Sequence, residues 1–294
     1  MPAAVRAILR EAAANAEAGR VAALWEAEMV GRALAPVGCP VVLLKGTAYL
    51  AAGLEAGRGR SVGDCDILVP RAALPEVEAA LLAHGWEWAK PDPYDDVYYR
   101  RWMHELPPLI HRERDRMLDV HHTILPLTAP ATPFPGDLIN TSGELSNGLR
   151  VLSPEDMVVH AAAHLIADGD LSGGLRNLWD IDRLCREFDQ ERPDFYLGVV
   201  EQAWHHNLWT PVMRALRLAH QLFGTPVRSY DGPIRFRFDE QRGDRLYRRR
   251  LLARDGWGRG TRPATRAAFY FRSHWIRMPP GLLARHLWTK WRRG

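Results

Sequence analysis

Asp64-Cys65-Asp66-Ile67-Leu68-Val69, stopped by Pro70, is the stretch on which the reading of this 294-residue chain turns. Its apolar, β-branched tail predicts a strand, and strand alternation puts Asp64 and Asp66 on one face with Cys65 on the other. Carboxylates opening an apolar strand are costly to bury without a partner, so the pair asks either for a cation or for a place at a solvated strand end. Cys65, turned away from both, reads as a small core residue rather than a nucleophile.

Upstream, Val41-Val42-Leu43-Leu44 is a short apolar run that fits a buried strand; Lys45-Gly46 and the helix-compatible Thr47-Ala48-Tyr49-Leu50-Ala51-Ala52 follow at once. A strand, a tight turn and a helix start make a phosphate grip: glycine lets the backbone approach, helix N-terminal amides face the anion, and Lys45 adds charge. Downstream, Leu74 to His84 has helical spacing and ends at Gly85, while Trp86 to His111 suggests one or two strands with polar turns. Met117 to Leu125 predicts a further strand with Asp119 and His121 on one face and Val120 and His122 on the other.

A third aspartate on a neighbouring strand completes a recognisable chemical requirement. Nucleotidyl transfer needs the charge of a triphosphate neutralised and its α-phosphate held in line with a hydroxyl, which carboxylate-bound divalent metal achieves. Hard cations such as Mg²⁺ prefer oxygen ligands. Asp64, Asp66 and Asp119 meet that specification, with Asp119 also placed to take the hydroxyl's proton.

The rest of the chain sets the frame. The apolar positions from Ala3 to about Ala35 recur at helical spacing, giving one long or two short helices before Pro36 and Gly38. The Pro-rich run 126–136 reads as a linker, and Ser153-Pro154-Glu155-Asp156 as a helix start with Ser153 as N-cap and a capping box to Asp156. Helical spacing then runs through Met157 to Ile166, Leu175 to Phe188 and Phe195 to Phe223. The expected class is α+β, a small mixed sheet with helices followed by an all-helical domain. Its expected parts are an N-terminal helical segment over 1–38, a catalytic domain over 39–130, a linker or strand over 131–152 and a helical domain over 153–294.

Composition excludes other classes. With 47% hydrophobic residues the chain can bury a core. No apolar run reaches the ~18 residues of a membrane span, and charged residues interrupt the N-terminus, so no signal peptide is expected. Three cysteines, Cys39, Cys65 and Cys185, are too few and scattered for a disulfide framework, which makes a reducing cytoplasm the default. The net charge of +4 is lopsided: residues 235–294 hold 17 Lys plus Arg against 4 Asp plus Glu. That region, with Arg248-Arg249-Arg250, Trp257, Trp275, Trp288, Trp291 and Arg292-Arg293, mixes charge with aromatics as nucleic-acid or acidic surfaces do. A solvated helical face, with arginine stems packed on apolar surface, is the favoured reading.

Together these residues resemble the uncharacterised nucleotidyltransferase group of the DNA polymerase beta superfamily. There an apolar strand ends in Leu-Lys-Gly and is followed by an Arg, an Asp-x-Asp strand and an Asp-x-His strand. Here they are Leu44-Lys45-Gly46, Arg60, Asp64-Cys65-Asp66 and Asp119-Val120-His121. Ser153 to Asp156, His160, His164 and Leu175 to Ile181 extend the resemblance, which covers roughly residues 40–190. It implies Asp64, Asp66 and Asp119 as metal ligands for Mg²⁺ or Mn²⁺ and Lys45, Gly46 and Thr47 as the triphosphate cradle. Arg60 and His121 would be helpers on the phosphate or acceptor side. The implied reaction moves a nucleotidyl group, AMP in the favoured form, from an NTP such as ATP to a hydroxyl of a protein, peptide or small molecule. Lys45-Gly46-Thr47 stands where the wider superfamily has a Gly-Ser turn, and the loop 53–63 is longer than in polymerase-like members.

Two rivals use the same residues differently: a non-catalytic, antitoxin-like or regulatory binding protein on this scaffold, and a zinc hydrolase built on His121, His160 and His164. His160 and His164 share a helix face, but Ala161 stands where a metalloprotease has glutamate.

Overall fold

The computed structural model describes residues 1–227, 241, 243–277, 281, 283 and 288. They form two compact units, one of residues 1–123 and 134–157, the other of residues 124–133 and those from 158 onward.

The first unit opens with α1 (Ala3–Leu34), a single 32-residue helix favoured by its alanine content. Its first six turns are largely exposed, whereas Ala23, Glu26, Ala27, Val30, Ala33 and Leu34 are buried. A 3₁₀ turn over Ala35–Val37 and the left-handed Gly38 (φ 68°) end it, as Pro36 and Gly38 predict. β1 (Val42–Leu43) leads into α2 (Lys45–Ala51), and the loop beyond, which contains a 3₁₀ turn at Glu55–Gly57, leads to β2 (Asp64–Leu68). The strand–turn–helix unit and the Asp-x-Asp strand thus form where the apolar runs placed them.

α3 (Leu74–Ala83) stops before Gly85, whose φ of 96° is open to glycine. Between β3 (Trp86–Trp88) and β4 (Leu109–His111) the expectation of strands with polar turns fails in part, because α4 (Pro93–Trp102) lies there. Local signals explain it: the Asp92 carboxylate accepts from the Tyr94 and Asp95 amides at 2.7 and 3.2 Å, and Pro93 sits in the first turn. Arg100 and Arg101 sit in the last turn, where the helix dipole favours positive charge. β5 (Met117–His121) follows, shorter than the predicted run to Leu125. The 131–152 stretch carries α5 (Pro135–Asn140) and the two-residue strands β6 (Gly143–Glu144) and β7 (Arg150–Val151).

The strands make one sheet in the order β3-β4-β5-β2-β1-β7-β6. At its centre β2 runs parallel to β5 and antiparallel to β1, in a register that sets Asp64 beside Met117, Asp66 beside Asp119 and Leu68 beside His121. Ile67, Leu68, Leu118 and Val120 are buried, which fixes this register, since a one-residue slip would exchange acids for core residues. α1 is tied to the sheet by an ion pair: Arg114 donates to both oxygens of Glu26 at 2.8 and 3.0 Å while lying 4.8 Å over the Trp86 ring.

α6 (Pro154–Ala162) begins with Ser153 as the predicted N-cap, the Asp156 amide donating to Ser153 Oγ at 3.2 Å and that hydroxyl to Asp156 Oδ2 at 2.8 Å. It continues as a π-helical turn over Ala163–Asp168. The second unit further contains α7 (Gly174–Glu191), α8 (Phe195–His205), α9 (Trp209–Phe223), α10 (Asp244–Leu251) and α11 (Pro263–Arg277). The continuous helical spacing expected over 195–223 is broken at Asn207, whose φ of 59° ends one helix before the next starts. Apolar periodicity runs through such a turn unchanged, so only the backbone reveals it.

Candidate active site

The parallel pairing of β2 with β5 assembles the site. Asp64, Asp66 and Asp119 each offer a carboxylate oxygen within 4.8 Å of the others. Asp64 is exposed and Asp66 buried, with Asp119 between them in exposure. Cys65, on the opposite face, is buried, and burial pushes its thiol well above the ordinary range, so it is chemically inert there.

Asp66 is held as an anion. Burial favours its neutral form, but the Lys45 ammonium at 2.5 Å and His121 Nε2 at 3.0 Å, both on Oδ1, hold its carboxyl far below the usual range. The same carboxylate raises the Lys45 pKa against the effect of burial, with Asp64 and Glu105 adding to the pull. Both contacts fall on Oδ1. Asp119 lacks such a cation: burial, then Asp66, and to a lesser degree Asp64, push its carboxyl up to about 7 while Lys45 pulls it down. Asp119 Oδ1 is buried with no hydrogen-bond partner among the described residues. An all-oxygen set of three convergent carboxylates with one orphaned buried oxygen fits a hard divalent cation.

The turn beyond β1 supplies positive charge. Lys45 adopts a left-handed backbone (φ 50°), rare for a residue with a side chain, and this aims its ammonium back at Asp66. The first intrahelical bond of α2 comes from the Ala48 amide to the Leu44 carbonyl at 3.3 Å, so the amides of residues 45–47 lie at the helix end where N–H groups point outward. Gly46 is needed for space: a methyl group there would lie 2.5 Å from Arg60 Nε and 2.9 Å from Val62 Cγ2. Arg60 thereby joins the turn, its guanidinium 5.9 Å over the Tyr49 ring. Thr47 is buried, with its hydroxyl 3.4 Å from the Asp64 carbonyl, to which it donates.

Strand alternation places His121 with Asp119 as expected, while His122 is buried on the other face, where burial, then Arg71, lower its pKa to about 4. Two residues that sequence reasoning missed stand beside His121. Glu105 Oε2 is 3.4 Å from His121 Nδ1, and the His104 ring stacks on that of His121 with centroids 5.1 Å apart. Nothing in the periodicity of Trp86 to His111 marks them; the signal is the backbone pairing of Glu105 with His121. His160 and His164 belong to neither of the metal-holding groups found among the described residues.

The basic C-terminal region is partly described. Arg250 is buried with Asp170, and Arg272 donates to the carbonyls of Ile166 and Gly169, so these arginines serve packing in the helical unit. Trp257, Trp275 and Trp288 are exposed, while Trp291, Arg292 and Arg293 lie outside the described residues. No described helix is long and apolar enough to cross a membrane.

Comparison with curated proteins found no match. Among solved structures, the antibiotic-resistance factor ANT(2'')-Ia, determined in solution, aligns over 61% of this chain and 90% of its own, at 15% identity and a TM-score of 0.41. A family model described as "uncharacterised nucleotidyltransferase" matches residues 1–224, which takes in α1, the whole sheet with its three aspartates, and the helices through α9. With that model covering most of its length, the chain belongs to this family of nucleotidyltransferases.

Proposed function

We propose that the chain transfers a nucleoside monophosphate, AMP in the favoured case, from an NTP to a hydroxyl group of a protein, peptide or small molecule. The observation that carries this reading is the pairing of Asp66 with Asp119 across β2 and β5, with Asp64 two residues away on the same face. Mg²⁺ or Mn²⁺ held by Asp64, Asp66 and Asp119 would neutralise phosphate charge and polarise the α-phosphate.

The chain's own residues do the remaining work. The Lys45-Gly46-Thr47 turn and Arg60 receive the triphosphate, the glycine letting the Arg60 side chain pack close against the turn. The acceptor oxygen bonds to the α-phosphorus, the bond to the β-phosphate oxygen breaks, and pyrophosphate leaves. Asp119, ionised once the metal is bound, takes the acceptor's proton. His121 and Lys45 keep Asp66 ionised and in place through the cycle. The free thiols of Cys39, Cys65 and Cys185 suit a reducing compartment, and we place the protein in the cytoplasm.

The test is incubation of purified protein with each α-phosphate-labelled NTP and Mg²⁺ or Mn²⁺, with and without host lysate. Label should pass to an acceptor with wild type and not with Asp64→Ala/Asp66→Ala. Absence of transfer, together with absence of NTP binding by calorimetry, would favour the non-catalytic partner instead.

A further inference from the structure

The second unit has a cleft of its own. Two cavities, of about 390 and 290 Å³, share Asp170, Ser172 and Tyr270 as lining residues. Arg250, Arg266 and Phe271 complete the larger one, while Asn177, Ser273 and His274 belong to the smaller. One lobe is thus cationic and aromatic, the other rich in hydrogen-bonding groups. The chain beside them is strained as binding sites often are: α6 passes into the π-helical turn over Ala163–Asp168, and Leu171 holds a φ of 61°.

Arg250 is the group that asks for a ligand. It is 6% exposed, yet among the described residues its side chain has one hydrogen bond, from Nη2 to Asp170 Oδ2 at 3.4 Å, and its Nε is buried with no partner. A guanidinium carries five N–H donors, and burying them unpaired is costly. Carboxylates nearby are spoken for: residues 244–277 hold ten arginines against two acids, Asp244 and Asp255. Asp244 is engaged by Arg214 and Arg217, and Asp255 accepts from the Trp257 and Arg259 amides. An anion entering the larger lobe would supply the missing acceptors. We propose that this cleft binds the phosphate ester of a hydroxylated ring, a sugar phosphate or the ribose phosphate of a nucleotide. Arg250 and Arg266 take the phosphate oxygens, Tyr270, 53% exposed and common to both lobes, covers the ring, and Asn177 reaches its hydroxyls. Both arginines lie beyond residue 224, where the family match ends, and the assignment does not depend on the transfer reaction.

The experiment is calorimetric titration of the full-length protein, in chelator and at low salt, with ribose 5-phosphate, AMP and ribose. At least one of the two phosphates should bind saturably, with ribose weaker by about tenfold or more, and the tighter phosphate tells sugar phosphate from nucleotide. Arg250→Gln and Arg266→Gln should each weaken that binding by about tenfold or more, whereas Arg60→Gln, in the triphosphate cradle, should leave it within about twofold. Arg266 is exposed on α11, so Arg266→Gln carries the test if circular dichroism shows Arg250→Gln unfolded. The proposal is overturned if neither phosphate binds, if ribose binds as tightly, if Arg266→Gln binds like wild type, or if Arg60→Gln abolishes binding.

Discussion

Asp119 shows how a single residue's surroundings become measurable. The folded chain keeps its proton up to about 7, whereas the unfolded chain releases it near 3.8. The stability contributed by this protonated group is therefore full below about pH 4 and is lost as pH rises through about 7. Metal-free wild type should lose melting temperature between about pH 4 and 7 more steeply than Asp119→Asn, by scanning fluorimetry in chelator; equal slopes would contradict the buried carboxyl. Mg²⁺ must displace the same proton, so its affinity should rise by about tenfold per pH unit below 7 in wild type and lose that dependence in the variant. Transfer itself should fall by roughly 10²–10⁴ in Asp119→Asn, measured as label incorporated. Gly46 is the second such position. Arg60 can swing from an added methyl, but the buried Val62 cannot, so Gly46→Ala should cost about 1–3 kcal/mol in denaturant unfolding and weaken NTP binding.

Elements were legible in the sequence to the extent that they carry their own signals. The Asp-x-Asp strand, the turn at Lys45-Gly46 and the N-cap at Ser153 rest on alternation, glycine placement and local hydrogen bonding, all of which can be read in a window of a few residues. α4 is hard to read although its cap is equally local, because its aromatic and charged residues show little apolar periodicity. The cap makes its own prediction: Asp92→Ala should cost about 1 kcal/mol of stability with transfer unaffected. The His104–Glu105 pair and the Glu26–Arg114 ion pair lay beyond sequence reading for a different reason. Both depend on segments that meet only through the sheet, and Glu26 is 88 residues from its partner. Arg114→Ala would leave the Glu26 carboxylate, 1% exposed, without its guanidinium, and about 3 kcal/mol of stability should go with it in a chemical melt.

For the molecule as a whole, the boundary of family likeness is not a boundary of folding. The family match ends at residue 224, yet α10 and α11 return to the helical unit. Asp244, fully buried, accepts from Arg217 at 2.6 and 3.2 Å and from Arg214 at 3.1 Å, and Tyr247 meets Phe269 edge to face at 5.0 Å. A chain cut after residue 224 would strand the buried Arg217 without its carboxylate. It should aggregate or melt well below full-length protein, and Asp244→Ala alone should cost about 3–5 kcal/mol by denaturant titration. Charge counting had suggested a solvated basic face for this region; its described arginines divide between that role and internal ion pairs, a division that composition cannot express.

The parallel register of β2 with β5 also governs how such a gene can change length. Side-chain direction along a strand has parity, so losing one codon between Met117 and Asp119 would present Val120 where Asp119 stood and turn the acid into the core. Losing Leu118 and Asp119 together would restore the inward and outward sense yet bring His121 opposite Asp66. Within these five residues, then, insertion and deletion are closed, and length variation must collect in the loops on either side.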